Sequence, residues 1–308
     1  MSASLENSAE EILRHNGRSF NFARVFLRAS HGQRAARLYA FCRYIDDIAD
    51  DASDVHKAKK ILEEIKSQLI VNLPPSTCVA DFIKLAQDTN IDPALAIELI
   101  DGVASDLGSV AFETTAELIQ YAYRVAGTVG LMMCRVLEVD NPRAMPFAID
   151  LGVAMQLTNI ARDIREDALN GRRYIPATWL AGVTAADIAN PNTSLKPRLQ
   201  AASQRLIQLA ELYYESAYNG FGFLPGRSRF AILIAARVYR QIGLKLKRRD
   251  FAAWRGRTVV STAEKIMVAG AATTAYLTEF RLHRCSLEHN AELHVSLQGF
   301  AGANQLVK

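Results

Sequence analysis

The chain has 308 residues, of which 50% are hydrophobic and 22% charged. That composition excludes disordered and collagen-like classes, and a chain this long buries roughly three quarters of the surface its unfolded form exposes. The net charge of +4, from 36 Lys and Arg against 32 Asp and Glu, is too mild for a nucleic-acid partner, which calls for a clustered basic patch.

The first twenty residues are polar and lack the apolar run of a secretory signal, so a cytoplasmic protein is expected. From there the pattern is helical nearly throughout, with apolar residues recurring every three or four positions. Ala35, Leu38, Tyr39, Cys42, Ile45 and Ala49 form one such stripe. Asn72-Leu73-Pro74-Pro75 ends a helix, and Ser76 or Thr77 caps the next. Asp92-Pro93 opens another helix, with Pro in its first turn. Asp140-Asn141-Pro142 separates two long helices, and Asn170-Gly171 stops the second by supplying a left-handed residue. Asn190-Pro191-Asn192 and the stretch Gly220 to Gly226 are further breaks.

These stops delimit about eight to ten helices, with no fixed repeat. No break is composed like a linker, so one all-α domain over residues 1–282 is expected. The polar tail, 283–308, is expected to be loosely held. The longest charge-free apolar stretches, Leu151–Ala161 and Ile266–Thr278, fall short of the roughly 20 residues that span a bilayer. The basic run Lys245, Lys247, Arg248, Arg249 reads as a solvated helix end. Cys42, Cys78, Cys134 and Cys285 form no CxxC pair, and three of them lie in apolar surroundings that suggest burial.

Two segments carry the chemistry. In Tyr44-Ile-Asp46-Asp47-Ile-Ala-Asp50-Asp51, Asp46 and Asp50 share one helix face. Like charges at that spacing oppose the helix by about 0.2–0.5 kcal/mol. Because the acids interrupt an apolar stripe, some should face inward. In the second segment, Gln156, Asn159, Asp163 and Asp167 form a polar stripe between the apolar positions Leu157, Ile160, Ala161 and Ile164. Such a stripe is unfavourable unless partners satisfy it. Two acidic helices facing one another across a cavity would attract divalent cations. All-oxygen ligands favour Mg²⁺ or Mn²⁺, whose shells are completed by substrate phosphates.

Other chemistries lack their spacing. None of the six histidines has Glu three positions before it, and HExxH, P-loop and Rossmann fingerprints are absent. Gly127 and Gly130 admit two readings of equal weight, close helix packing or room for a long apolar chain. Arg18, Arg43, Arg162, Arg172 and Arg173, as a set beside acidic sites, suit diphosphate oxygens. Phe20, Phe22, Tyr39, Tyr121 and Tyr239 could line a cavity and face a carbocation, or simply pack in a core.

The wording of these segments resembles the squalene and phytoene synthase family, the head-to-head trans-isoprenyl diphosphate synthases. The matching elements are Arg18-Ser19-Phe20, Tyr39-Ala-Phe-Cys-Arg43-Tyr-Ile-Asp46-Asp-Ile-Ala-Asp50 and Tyr121-Ala-Tyr-Arg-Val125-Ala-Gly-Thr-Val-Gly130. Further along come Gln156-Leu-Thr-Asn159-Ile-Ala-Arg162-Asp163-Ile-Arg-Glu-Asp167, Gly171-Arg-Arg-Tyr174-Ile-Pro176 and Val238-Tyr239. They occur in family order over about residues 15–280, and the wording around Gly130 and Pro176 is most similar to the bacterial phytoene synthase branch. Two departures stand out: Ala168 follows Asp167 where relatives often carry an acid, and the tail beyond about residue 281 has no counterpart.

The resemblance implies an all-α isoprenoid synthase fold around a central cavity. It implies a prenyltransferase of carotenoid biosynthesis that condenses two geranylgeranyl diphosphates to phytoene through prephytoene diphosphate. Asp46, Asp50, Asn159, Asp163 and Asp167 are implied to hold Mg²⁺, with Mn²⁺ as the alternative ion. The implied catalytic residues are Tyr39, Arg43 and Tyr121 with the four motif aspartates. Arg18, Ser19, Phe20, Arg43, Val125, Gln156, Arg162, Arg172, Tyr174, Tyr239 and Arg257 are implied to contact substrate. The product hydrocarbon implies peripheral contact with the inner membrane and hand-over to a desaturase. Two alternatives stay open: a sister enzyme making squalene, presqualene diphosphate or diapophytoene from farnesyl diphosphate, and an inactive helical scaffold.

Overall fold

The computed structural model describes residues 2–71, 77–285 and 288–303, so the expected stop at Asn72–Ser76 lies outside the described residues. Thirteen α-helices run through the described residues. The first half contains α1 (Ser2–Asn16), α2 (Arg18–Arg24), α3 (Ala29–Asp50), α4 (Val55–Val71), α5 (Thr77–Thr89), α6 (Pro93–Ala104), α7 (Thr115–Ala122) and α8 (Thr128–Val136). The second half contains α9 (Met145–Leu169), α10 (Ala185–Ala189), α11 (Lys196–Tyr218), α12 (Gly226–Arg248) and α13 (Thr262–Thr278). The all-α expectation holds. There are more helices than the punctuation suggests because short ones such as α2 and α10 carry too few turns to show a period.

The expected stops act as the chemistry dictates. Asp92 caps α6 by accepting from the Ala94 amide, with Pro93 in the first turn. Gly171 ends α9 at φ +76°, a left-handed conformation that glycine adopts without strain. Lys245, Lys247 and Arg248 crowd the last turn of α12, where they oppose its negative dipole end. Of the cysteines expected inside, only Cys134 is buried; Cys42, which lines the cavity, and Cys78, whose Sγ meets the Ala40 carbonyl, are half-buried.

Helix α9 is the central element. It packs chiefly against α11, and also against α8, α10 and α12, and its N-terminal two thirds are buried on nearly every side. Helix α3 lies across the cavity, backed by α1 and α5. Between α7 and α8 the chain makes one π-helical turn, Tyr123–Gly127. Its extra residue turns Val125 and Ala126 to the cavity while Tyr123 remains in the core. Such turns are concentrated at functional sites. A two-residue parallel ladder pairs β1 (Val110–Ala111) with β2 (Arg172–Arg173). It is too short for alternation to show in sequence, yet it fixes where Arg172 and Tyr174 sit.

The segment expected to be loosely held is instead docked over residues 288–303. Leu297 is fully buried. Gln120 donates to the Ser296 carbonyl at 2.9 Å and Tyr213 to the Leu293 carbonyl at 2.9 Å. Polarity misled the reading, because these residues are tied down through backbone carbonyls that every sequence possesses.

Two glycines set the distance between α8 and α9. A Cβ on Gly130 would lie 2.3 Å from the Ala148 carbonyl oxygen, and one on Gly152 would lie 2.3 Å from that of Ala126. Gly130 also lines the cavity, so both readings of this glycine hold. Gly152→Ala is expected to destabilise the protein by about 1–3 kcal/mol, the usual range for overpacking. Urea unfolding checks this, and an unchanged midpoint contradicts the close-contact account.

Candidate active site

A cavity of about 320 Å³ runs between α2, α3, the π turn, α8, α9 and α12. Its wall on α9 extends from Phe147 to Asn159, roughly 18 Å at the helical rise. Leu151, Met155, Val129, Met133, Leu38 and Ile232 make most of it apolar. The polar side chains Asp46, Gln156 and Asn159 join the wall together. On α3 the lining residues run from Ala35 to Asp46, and on α9 from Phe147 to Asn159. Arg172 donates to Asp50 and also acts on Asp167, and Asp106 acts on both Asp46 and Asp167, so the two acidic turns meet at one end of the cavity. Asp50 and Arg257 are exposed there, and that end is its mouth. Phe20, Tyr39 and Tyr239 form an aromatic face on the cavity, with ring centroids 6.2 Å (Phe20–Tyr39) and 5.2 Å (Phe20–Tyr239) apart. Burial pushes the Tyr39 and Tyr239 hydroxyls up to about 12, so both stay protonated.

The charged residues at the mouth form pairs. Arg162 grips Asp163 with two guanidinium nitrogens, and Arg257 Nε lies 3.1 Å from the same carboxylate. Arg172 donates to Asp50 at 3.1 Å. It crosses from one acidic helix to the other because the β1–β2 ladder holds it beside α9 while its side chain reaches the end of α3. Arg43 pairs with Asp47, one turn on, rather than with Asp46.

Two carboxyls are left in excess. Burial, then the neighbouring Asp50, pushes Asp46 up to about 7, against a pull downward from Arg43. Burial, then Asp163, pushes Asp167 up to about 8, against Arg172. Asn159 presents a buried Oδ1 with no hydrogen-bond partner, while its Nδ2 donates to Gln156 at 3.3 Å. Unpaired carboxylates beside an orphaned carbonyl oxygen make an all-oxygen donor set that a hard divalent cation fits.

The structure gathers Tyr39, Asp46, Val125, Gln156, Asn159, Tyr239 and Phe20 on the cavity wall. It brings Asp50, Asp163, Arg162, Arg172 and Arg257 to the mouth as ion pairs. Arg18 is exposed and Ser19 half-buried, and neither belongs to the wall. Tyr121 and Tyr174 also stand outside the wall. They stack with centroids 4.9 Å apart and donate together to Asp106, at 2.8 and 2.7 Å. Burial raises the Asp106 carboxyl, against the two tyrosines and Arg172, and its charge is felt at both Asp46 and Asp167. The sequence reading missed Asp106. It follows a helix end between Ser105 and Leu107, and a lone acid there has no periodic signal.

Comparison with known proteins agrees with this geometry. The family model described as "Squalene/phytoene synthase" matches residues 13–264. The chain belongs to the squalene/phytoene synthase family. A 15-cis-phytoene synthase of Pantoea ananas is 36% identical over 289 residues, covering 89% of this chain and 93% of that protein. One of Enterobacter agglomerans is 37% identical over 274 residues, covering 85% and 92%. Among solved structures, a dehydrosqualene synthase with bound ligand superposes with a TM-score of 0.77 at 27% identity, covering 89% of this chain and 97% of that one. A squalene synthase of Alicyclobacillus acidocaldarius shares the fold, with a TM-score of 0.68 at 19% identity over 80% of this chain and 94% of its own.

The raised carboxyls give a pH signature in metal-free protein. With Asp46 near 7 and Asp167 near 8, against 3.8 for an ordinary Asp, the folded state binds more protons than the unfolded state across that window. Stability therefore falls as pH rises from about 4 to about 8. Urea unfolding in chelator should show that decline, and Asp167→Asn should flatten it. An equal slope in the variant would place the missing protons elsewhere.

Proposed function

We propose that this protein is a phytoene synthase that joins two geranylgeranyl diphosphates head to head, through prephytoene diphosphate, in carotenoid biosynthesis. The observation that carries the reading is the pair of acidic turns, Asp46/Asp50 and Asp163/Asp167, at the mouth of one deep apolar cavity. Asp46, Asp50, Asp163, Asp167 and Asn159 would hold Mg²⁺. When bound, the ions neutralise the substrate's diphosphate so that it departs as a leaving group.

The side chains do the rest. Arg162, Arg172 and Arg257 already neutralise carboxylates at the mouth. They can exchange those partners for diphosphate oxygens, to which guanidinium binds in bidentate fashion. Arg43, tied to Asp47, lies one turn from Asp46 and serves the same end. The apolar wall excludes water, which would quench an allylic cation. Phe20, Tyr39 and Tyr239 offer ring faces to that cation, a contact that strengthens when desolvated. Tyr121 and Tyr174 act at one remove. By donating to Asp106 they hold a third carboxylate between the two acidic turns without adding a cation there. The 18 Å wall, estimated from the helical rise, suits a long prenyl chain.

Contact with a membrane surface fits a hydrocarbon product. No helix among the described residues is long and apolar enough to cross a bilayer. Helix α13 leaves Ile266, Met267 and Leu277 well exposed, and Phe280 follows them. Anionic vesicles should therefore retain the wild type and release Met267→Asp; equal retention removes α13 from the contact.

The deciding assay supplies Mg²⁺ with geranylgeranyl diphosphate or farnesyl diphosphate, without NADPH, and reads the hydrocarbon by mass spectrometry. Phytoene from the longer substrate is expected, with turnover in Asp46→Ala and Asp163→Ala reduced by at least about 10²–10³-fold, the scale of losing one electrostatic stabiliser. A C30 product from farnesyl diphosphate alone would move the specificity to the sister enzymes. No product from either substrate, with metal and membranes supplied, would favour a scaffold.

A further inference from the structure

Helix α9 buries a second kind of acidic site, away from the cavity mouth. Asp150 is completely inaccessible to solvent on the apolar body of the helix. Its Oδ2 lies 2.9 Å from His289 Nε2 and accepts from Ser216 Oγ at 2.6 Å, while its Oδ1 lies 2.8 Å from His294 Nε2. One oxygen and the two imidazole nitrogens all lie within 4.8 Å of one another. The two rings are 4.4 Å apart and tilted by 48°, so their Nε2 edges converge on the carboxylate.

The geometry points to a binding site for one Zn²⁺ ion, held by Asp150, His289 and His294, that clamps the C-terminal segment to the back of the cavity. The His-x₄-His spacing lies within the range found for zinc ligands. Two imidazoles and a carboxylate suit Zn²⁺ and its transition-metal neighbours and disfavour Mg²⁺, which separates this site from the all-oxygen mouth. Zinc at about 2.0–2.2 Å from each of these three ligands, with a water completing the tetrahedron, sets neighbouring donors roughly 3.4 Å apart. The histidine nitrogen now in contact with the liganding carboxylate oxygen, at 2.8–2.9 Å, must then move out by roughly half an ångström, while the three donor atoms already lie within 4.8 Å of one another. Each imidazole meets the ion through an unprotonated Nε2 and carries its single proton on Nδ1, which a neutral ring reaches by moving its Nε2 proton to Nδ1 and a protonated ring by releasing that proton to water. Ser216 on α11 orients the carboxylate from behind, as hydroxyl partners of metal ligands do.

The site joins α9, α11 and the tail. His289 also meets Phe147 edge to face, with centroids 5.4 Å apart, and Phe147 lies on the cavity wall and stacks with Phe223 at 6.2 Å. An ion there would brace the end of the cavity opposite the acidic mouth.

The test uses the full-length protein, stripped with chelator and titrated with Co²⁺ alone. The wild type should bind one equivalent with the visible ligand-field bands of tetrahedral Co²⁺. Zn²⁺ should displace it and millimolar Mg²⁺ should not. Asp163→Asn should keep the bands, since it alters only the mouth. His294→Ala and His289→Gln should each lose them, and Ser216→Ala should weaken binding about 10- to 100-fold. Absence of tetrahedral bands in the wild type overturns the proposal, whatever the folding of the variants. Bands that survive in a folded His294→Ala or His289→Gln protein overturn it equally. Either result leaves Asp150 as a hydrogen-bonded latch.

Discussion

Carboxylates at the rim of a dry cavity are costly to charge, first because burial strips their water and then because they repel one another, and that cost governs the arrangement around them. In a low-dielectric setting the penalty is far larger than on an open surface. Asp50 is offset by Arg172, and Asp163 by Arg162 and Arg257. Asp106 is held by two tyrosine hydroxyls. Asp46 has the pull of Arg43, and Asp167 that of Arg172 and then Arg162, but burial outweighs it and both respond by holding protons. The mouth is thus short of positive charge by design of its neighbours, the state in which a multiply charged cation binds best.

The rest of the fold keeps that mouth rigid. Helix α9 must pass close to α8 and the π turn, and glycines at 130 and 152 allow backbone to touch backbone there. The π turn then shifts the register so that Val125 and Ala126 reach the cavity without exposing Tyr123. The two-residue ladder carries Arg172 to Asp50 and Tyr174 to Asp106 at once. Each device is small, and the ladder is the one that positions polar side chains, as catalysis by electrostatic preorganisation requires.

At the opposite end the apolar wall closes against Phe147 and Phe223. Behind them lies Asp150, with its serine and two histidines. The helix therefore has two acidic regions of different character. One consists of oxygen ligands open to a substrate, and the other of a buried carboxylate enclosed by imidazoles. Their separation along one rigid helix keeps the chemistry of the mouth independent of the anchoring of the tail.

Much of this was legible in sequence. Helical periodicity, the stops at Asp92-Pro93 and Gly171, and the four-residue spacing of the aspartates depend on local rules, and local rules need no partner. The motif wording carried the family. What only the tertiary structure decided were pairings between residues distant in the chain. Asp106 with Tyr121 and Tyr174, Arg172 with Asp50, and Asp150 with His289 and His294 span from 15 to 144 positions. No periodicity reports such contacts. Tyr121 illustrates the difference: the motif wording singled it out, yet its hydroxyl serves an aspartate outside the cavity wall because helix packing, not spacing, sets which face it meets. The docked tail makes the same point, since it is held through backbone carbonyls and half-buried imidazoles whose partners become visible only once α7, α9 and α11 are in place.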